Sequence, residues 1–133
     1  MVRSLLFAAV VLIAGAAEAQ SIHTPAPGTP ERRAILDAIR PEVEADLGPP
    51  VEFVVEEMRV SGTWAFVHAE PQRPDGGRID APHDDFQDGN TTYAVLRRRD
   101  GRWRPLLVAV GPSDVPWVVF CDEAPRGLFG PVC

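Results

Sequence analysis

Apolar residues recur every four positions at Ile35, Ile39, Val43 and Leu47, with Leu36 beside them, and so draw one stripe along a helix. Thr29 is a capping residue, Pro30 suits the first helical position, and Glu31 follows in the first turn. Pro41 falls inside the run and removes a backbone donor, yet the stripe stays in phase across it. The pattern predicts a kinked helix, or two abutting helices, over 30–47. Gly48-Pro49-Pro50 ends it.

The period then changes from four to two. Val51, Phe53 and Val55 alternate as a strand with one buried face, while Met58 and Val60 are out of phase with them. A bulge at Glu56-Glu57 restores the inward register and bends the strand. Ser61-Gly62 turns the chain, and residues 63–70 return as a second strand with Trp64 and Phe66 inward. Residues 71–90, rich in Pro, Gly and Asp, read as a long loop, of the kind that is usually functional or disordered. Strands 91–99 and 102–110 flank Asp100-Gly101, a strong hairpin signal. Pro105 implies an edge position or a bulge in the last strand. Gly111-Pro112 breaks it, and Ser113-Asp114 is placed to cap a short turn carrying Trp117 and Phe120.

One Pro-kinked helix followed by two hairpins predicts an α+β domain, the helix packed on a curved four-stranded antiparallel sheet. In this order of elements, carried by ERRAILDAIRPEVEADLG, VSGTWAFVHAEP and TTYAVLRRRDGRWRPLLVAVGPSDVPW, the chain resembles the cystatin-like and NTF2-like group of folds. Its second half also resembles small exported bacterial proteins of unassigned function. The resemblance covers about residues 30–118 and is one of pattern, not of a diagnostic motif. Enzymes of the NTF2-like group usually have more helix before the sheet, closing a cone-shaped pocket.

The N-terminus changes the picture of where this domain works. Arg3, the apolar run Leu5–Ala17 and the small residues Ala17 and Ala19 make residues 1–19 a cleaved secretory signal. Residues 20–29 then form a flexible arm, and 30–133 a single domain with a cysteine-closed tail. The run is too short to anchor in a bilayer, so no transmembrane segment is expected after cleavage. Export to the periplasm or medium favours a Cys121–Cys133 disulfide, worth about 3 kcal/mol if unstrained. The net charge is −6, and cleavage removes one charge of each sign, Arg3 and Glu18. That acidity argues against a nucleic-acid partner. All 13 basic residues are Arg, which fits a GC-rich coding sequence.

Candidate chemistry is thin. Asp80, His83, Asp84, Asp85 and Asp88, with Asn90 beside them, could offer oxygens to a hard cation, Asp84, Asp85 and Asp88 above all. Phe86 stands where a calcium loop needs a ligand, so no metal and no cofactor is expected. His68 and Glu70 share one strand face and, with Tyr93 on the neighbouring hairpin, could form an acid–base group. Arg97, Arg98, Arg99, Arg102 and Arg104, with Trp103, surround one hairpin tip. Alternation spreads them over both faces as a charged knob. Such a knob either discourages edge aggregation or contacts an anion. The sequence therefore favours an exported, non-catalytic module that binds a protein, an envelope component or a small ligand. The alternative is a small NTF2-like enzyme doing proton transfer or hydrolysis around His68, Glu70 and Tyr93.

Overall fold

The computed structural model describes residues 21–80 and 87–133, Asp88 by its backbone alone. The expected signal, residues 1–19, lies outside that range, as do His83, Asp84, Asp85 and the Asp88 side chain.

Helix α1 spans Pro30–Leu47, its N-terminus capped by the Thr29 hydroxyl, which accepts from the Arg32 amide at 3.4 Å. Ile35, Ile39, Val43 and Leu47 are its buried residues. Burying four such side chains contributes on the order of 6–12 kcal/mol, against ~3 kcal/mol for a proline inside a helix. The stripe wins, and α1 runs through Pro41, which lies on the exposed side.

The C-terminal end of α1 is closed from afar. Gly48 (φ 79°) donates its amide to Glu44 O, and the last turn carries no basic residue. Arg73 supplies the charge instead: Nη1 donates to Gly48 O at 2.6 Å and Pro50 O at 3.1 Å, and Nη2 to Leu47 O at 3.2 Å. A guanidinium among free carbonyls at a helix C-terminus satisfies both their hydrogen bonding and the helix dipole.

Strands β1 (Glu52–Ser61), β2 (Trp64–Gln72), β3 (Gln87–Arg99) and β4 (Arg102–Pro112) form one antiparallel sheet in the order β1-β2-β3-β4. The domain is thus one helix on a four-stranded open sheet, an α+β fold. Glu56 is the extra residue of a bulge between Val55 and Glu57, and it brings Phe53, Val55, Met58 and Val60 onto the same, helix-facing side. Leu106 is the extra residue on β4, next to Pro105 on that edge strand. Asp100 and Gly101 both take positive φ (53° and 73°), as a two-residue hairpin turn requires.

Three expectations about the sheet and the tail need correction. The connection read as a loop over 71–90 is shorter, because β2 reaches Gln72 and β3 starts at Gln87. Within it Ile79 is buried, and its carbonyl accepts from Asn90 Nδ2 at 2.8 Å. The extension needs Gly111, where a Cβ would stand 2.2 Å from Gly89 O. Trp64 and Phe66 are buried on the sheet face away from the helix, while Ala65, Val67 and Ala69 face it. The sheet is therefore covered twice, by α1 on one side and by Trp117, Leu128 and Phe129 of the C-terminal tail on the other. Finally, the short 3₁₀ helix Pro116–Phe120 begins after Val115 with no side-chain cap, so Ser113-Asp114 does not start it.

In the segment expected as a flexible arm, His23 and Thr24 are docked on β1. His23 and Val60 exchange backbone bonds at 2.9 and 2.8 Å, and the Thr24 hydroxyl donates to Met58 O at 2.7 Å. Cys121 and Cys133 are joined, with Cα atoms 5.7 Å apart, and the closed loop carries Leu128 and Phe129 into the second core. No helix among the described residues is long and apolar enough to cross a membrane.

Candidate functional site

The register of β3 with β4 sorts the arginines. Arg97 lies opposite Arg104 and Arg99 opposite Arg102, and directly opposed residues share a face. Arg97 also pairs with Trp64 of β2 and stacks its guanidinium over that indole at 4.7 Å. Four arginines thus stand on the face that the tail covers further along. Arg98 alone points to the helix face, where its guanidinium lies 5.5 Å from the centre of the Trp103 ring. Both faces are thus occupied, as alternation implied, in the proportion four to one.

Directly opposed like charges destabilise a strand pair. Here two such pairs adjoin, Arg99, Arg102 and Arg104 are exposed, and Asp100 at the turn is the single acidic residue of the tip. Among the described residues no carboxylate lies within ion-pair distance of any of the five arginines. The tip is a concentration of positive charge in an acidic protein. Trp64 extends it inward: its ring is half of an edge-to-face pair with Phe120 of the tail, centroids 6.1 Å apart.

The three residues considered for acid–base work meet only in part. His68 and Tyr93 are register partners, their rings stacked at 4.5 Å and 14°. Tyr93 stacks in turn on Trp117 at 4.4 Å, so the imidazole ends a ladder of three rings. Glu70 is exposed and accepts from the Thr91 hydroxyl at 2.8 Å instead. Of the three, Glu70 borders a cleft of about 480 Å³ beside Arg78, Ile79 and Asn90. Trp117 Nε1 is buried without a hydrogen-bond partner among the described residues. Leaving such a donor unpaired costs about 1–3 kcal/mol, so the ladder is packing of a demanding kind. No three His, Cys, Asp or Glu residues among those described are arranged to hold a metal ion.

Sequence reasoning missed two features. One is the closure of α1 by Arg73. The other is a groove of about 330 Å³ between α1 and β1, lined by Arg32, Arg33, Leu36, Arg40, Phe53 and Val55 among others. The signal for the groove was present, since Arg32, Leu36 and Arg40 repeat every four residues beside the buried stripe.

Comparison with known proteins returned no matching family model, no matching curated protein and no matching solved structure.

Proposed function

We propose that this chain is an exported, non-catalytic binding module whose arginine hairpin holds an anionic partner. The observation that carries the reading is the pair of directly opposed arginine pairs on one face, Arg97–Arg104 and Arg99–Arg102. Such an arrangement lowers stability and is worth having where an anion bridges the opposed guanidiniums, each of which offers a planar fork of donors. The leader-like residues 1–19 and the Cys121–Cys133 bridge support export to an oxidising compartment. Binding is favoured over chemistry at His68, Glu70 and Tyr93 because Glu70 is turned to Thr91 and the His68 ring is committed to a stack. The cystatin-like or NTF2-like resemblance enters as a proposal about architecture only.

The test is co-sedimentation with anionic and zwitterionic phospholipid vesicles, and retention on a sulfated polysaccharide, across a salt series. Arg102→Glu with Arg104→Glu should abolish binding to whichever anion is held, and the fold should survive, since exposed charges are worth only tenths of a kcal/mol. Arg98→Glu, on the other face, should leave most of it. Binding should weaken with salt, because screening limits exposed charges to about 8 Å at physiological ionic strength. Salt-insensitive binding that the double reversal leaves unchanged would defeat the reading.

A further inference from the structure

β1 is an edge strand, and its outer side is covered at both ends but not in the middle. Val60 exchanges both backbone bonds with His23, so its amide and carbonyl point outward. Outward groups alternate along a strand, which makes Met58 the next, and its carbonyl accepts from Thr24. The bulge at Glu56 shifts that alternation by one residue and passes it to Val55, Phe53 and Val51. Val51 O accepts from Arg40 Nε at 3.0 Å, which agrees with this count. Between the two covers lie Phe53 and Val55, whose outward amides and carbonyls have no partner among the described residues. A native edge left open over a short stretch is a template for one more strand.

The 330 Å³ groove runs beside this gap. Phe53 and Val55 form its floor, and Leu36, Arg32 and Arg33 its helix wall. Pro27 and Gly28 close one end, and Arg40, over the Phe53 ring at 5.7 Å, lies towards the other. The walls carry three arginines against one acid, Asp37. Arg40 is paired with Asp37. Arg32 Nη1 is held only by a neutral carbonyl, Pro25 O at 3.1 Å, and Arg33 is exposed. Among the described residues neither Arg32 nor Arg33 has a carboxylate within ion-pair distance.

From the open edge, the apolar floor and the two uncompensated arginines, we infer that this groove binds an extended acidic peptide segment of a partner protein as an added strand beside Phe53–Val55. Backbone pairing supplies the attachment, and alternate side chains supply the selection. One set of the partner's side chains enters the groove, where an acidic residue reaches Arg32 and Arg33 with its methylenes on Leu36 and Val55. The other set lies over Val54, 46% exposed on the opposite face, and is aliphatic. The groove thus selects alternation of acidic and aliphatic residues. It is independent of the arginine hairpin, which lies across the sheet on β3 and β4.

The probe is a dye-labelled alternating Val–Glu hexapeptide, followed by fluorescence anisotropy with the purified disulfide-bonded protein. Saturable binding is expected, weaker by at least about tenfold for an alternating Val–Lys peptide and for Arg33→Glu. Arg33 is exposed, so the variant should fold, and Arg32→Gln gives a second, milder loss. N-methylation of alternate peptide nitrogens should remove binding in one of the two phases and spare it in the other, and amide exchange at Phe53 and Val55 should slow on saturation. The Arg102→Glu, Arg104→Glu protein should bind the peptide normally, which separates this site from the hairpin. No saturation by millimolar peptide, equal binding of both N-methylated phases, or loss on hairpin reversal alone would overturn the inference.

Discussion

Replacing Arg73 by Met should destabilise the fold by about 2 kcal/mol, although Arg73 lies outside every apolar pattern. Its guanidinium makes three bonds to the carbonyl end of α1, two of them part-buried. Each charge-assisted bond is worth about 1.5–3 kcal/mol net, and the helix end adds about 0.5 kcal/mol. Against this stand about 2 kcal/mol of side-chain freedom regained by the variant and the ease with which water replaces the bond to the exposed Pro50 carbonyl. Methionine keeps the aliphatic stem, so packing is nearly unchanged. Urea unfolding followed by far-UV circular dichroism, with the disulfide intact, should show a lower midpoint at constant slope. In heat the shift should be about 8 °C for a domain of this size. Arg73→Lys should recover about half, because a point charge cannot span three carbonyls as a fork does. A Met variant within about 0.5 kcal/mol of the parent would refute the reasoning. So would a Lys variant equal to the parent, since it would reduce the effect to charge alone.

Removing the Cys121–Cys133 bridge by paired alanines should cost about 3 kcal/mol and, through loosening of Leu128 and Phe129, raise binding of a hydrophobic dye, measured beside the unfolding midpoint. Gly111→Ala should destabilise by more than 2 kcal/mol, roughly the cost of forcing a side chain into a clash at positive φ, and calorimetry should show it. Leu128→Ala should cost about 2–5 kcal/mol by thermal unfolding, as for a fully buried core leucine, although it lies in an irregular tail.

Much of the skeleton was legible because its signals are local. The Thr29-Pro30-Glu31 start, the Asp100-Gly101 turn and the phase break at Glu56 each act within a few residues, and each stands where the pattern put it. What was hidden depends on partners distant in sequence. Residues Trp64 to Val67 are all buried, so alternation could not say which pair faced the helix. Size suggested the aromatics, but the helix-side core that Ile35 and Ile39 enter is lined by the small residues Ala65, Ala69 and Ala94, and α1 comes nearest to β4. The second layer escaped notice because 3₁₀ turns have no sustained period, and Arg73 because its partners lie 23–26 residues away.

The same ambiguity concealed the face on which the candidate site stands, although its residues were named from the sequence. Arg97 is the register partner of Trp64, so whichever face takes the indole also takes Arg97, and with it Arg99, Arg102 and Arg104. Read with Trp64 under the helix, this arginine set would crowd the end of α1's core. Read as the structure has it, the set stands beside the tail, with an aromatic base beneath Arg97 and open solvent beyond Arg99 and Arg102. A slip of one residue in that register would exchange the two faces entirely. Parity in β2 therefore decides both how the core is built and where the positive charge is presented. The disulfide-closed tail follows from the same choice: a sheet face carrying Trp64, Phe66, Tyr93 and Val95 needs a cover, and among the described residues Trp117, Leu128 and Phe129 of the C-terminal tail provide it.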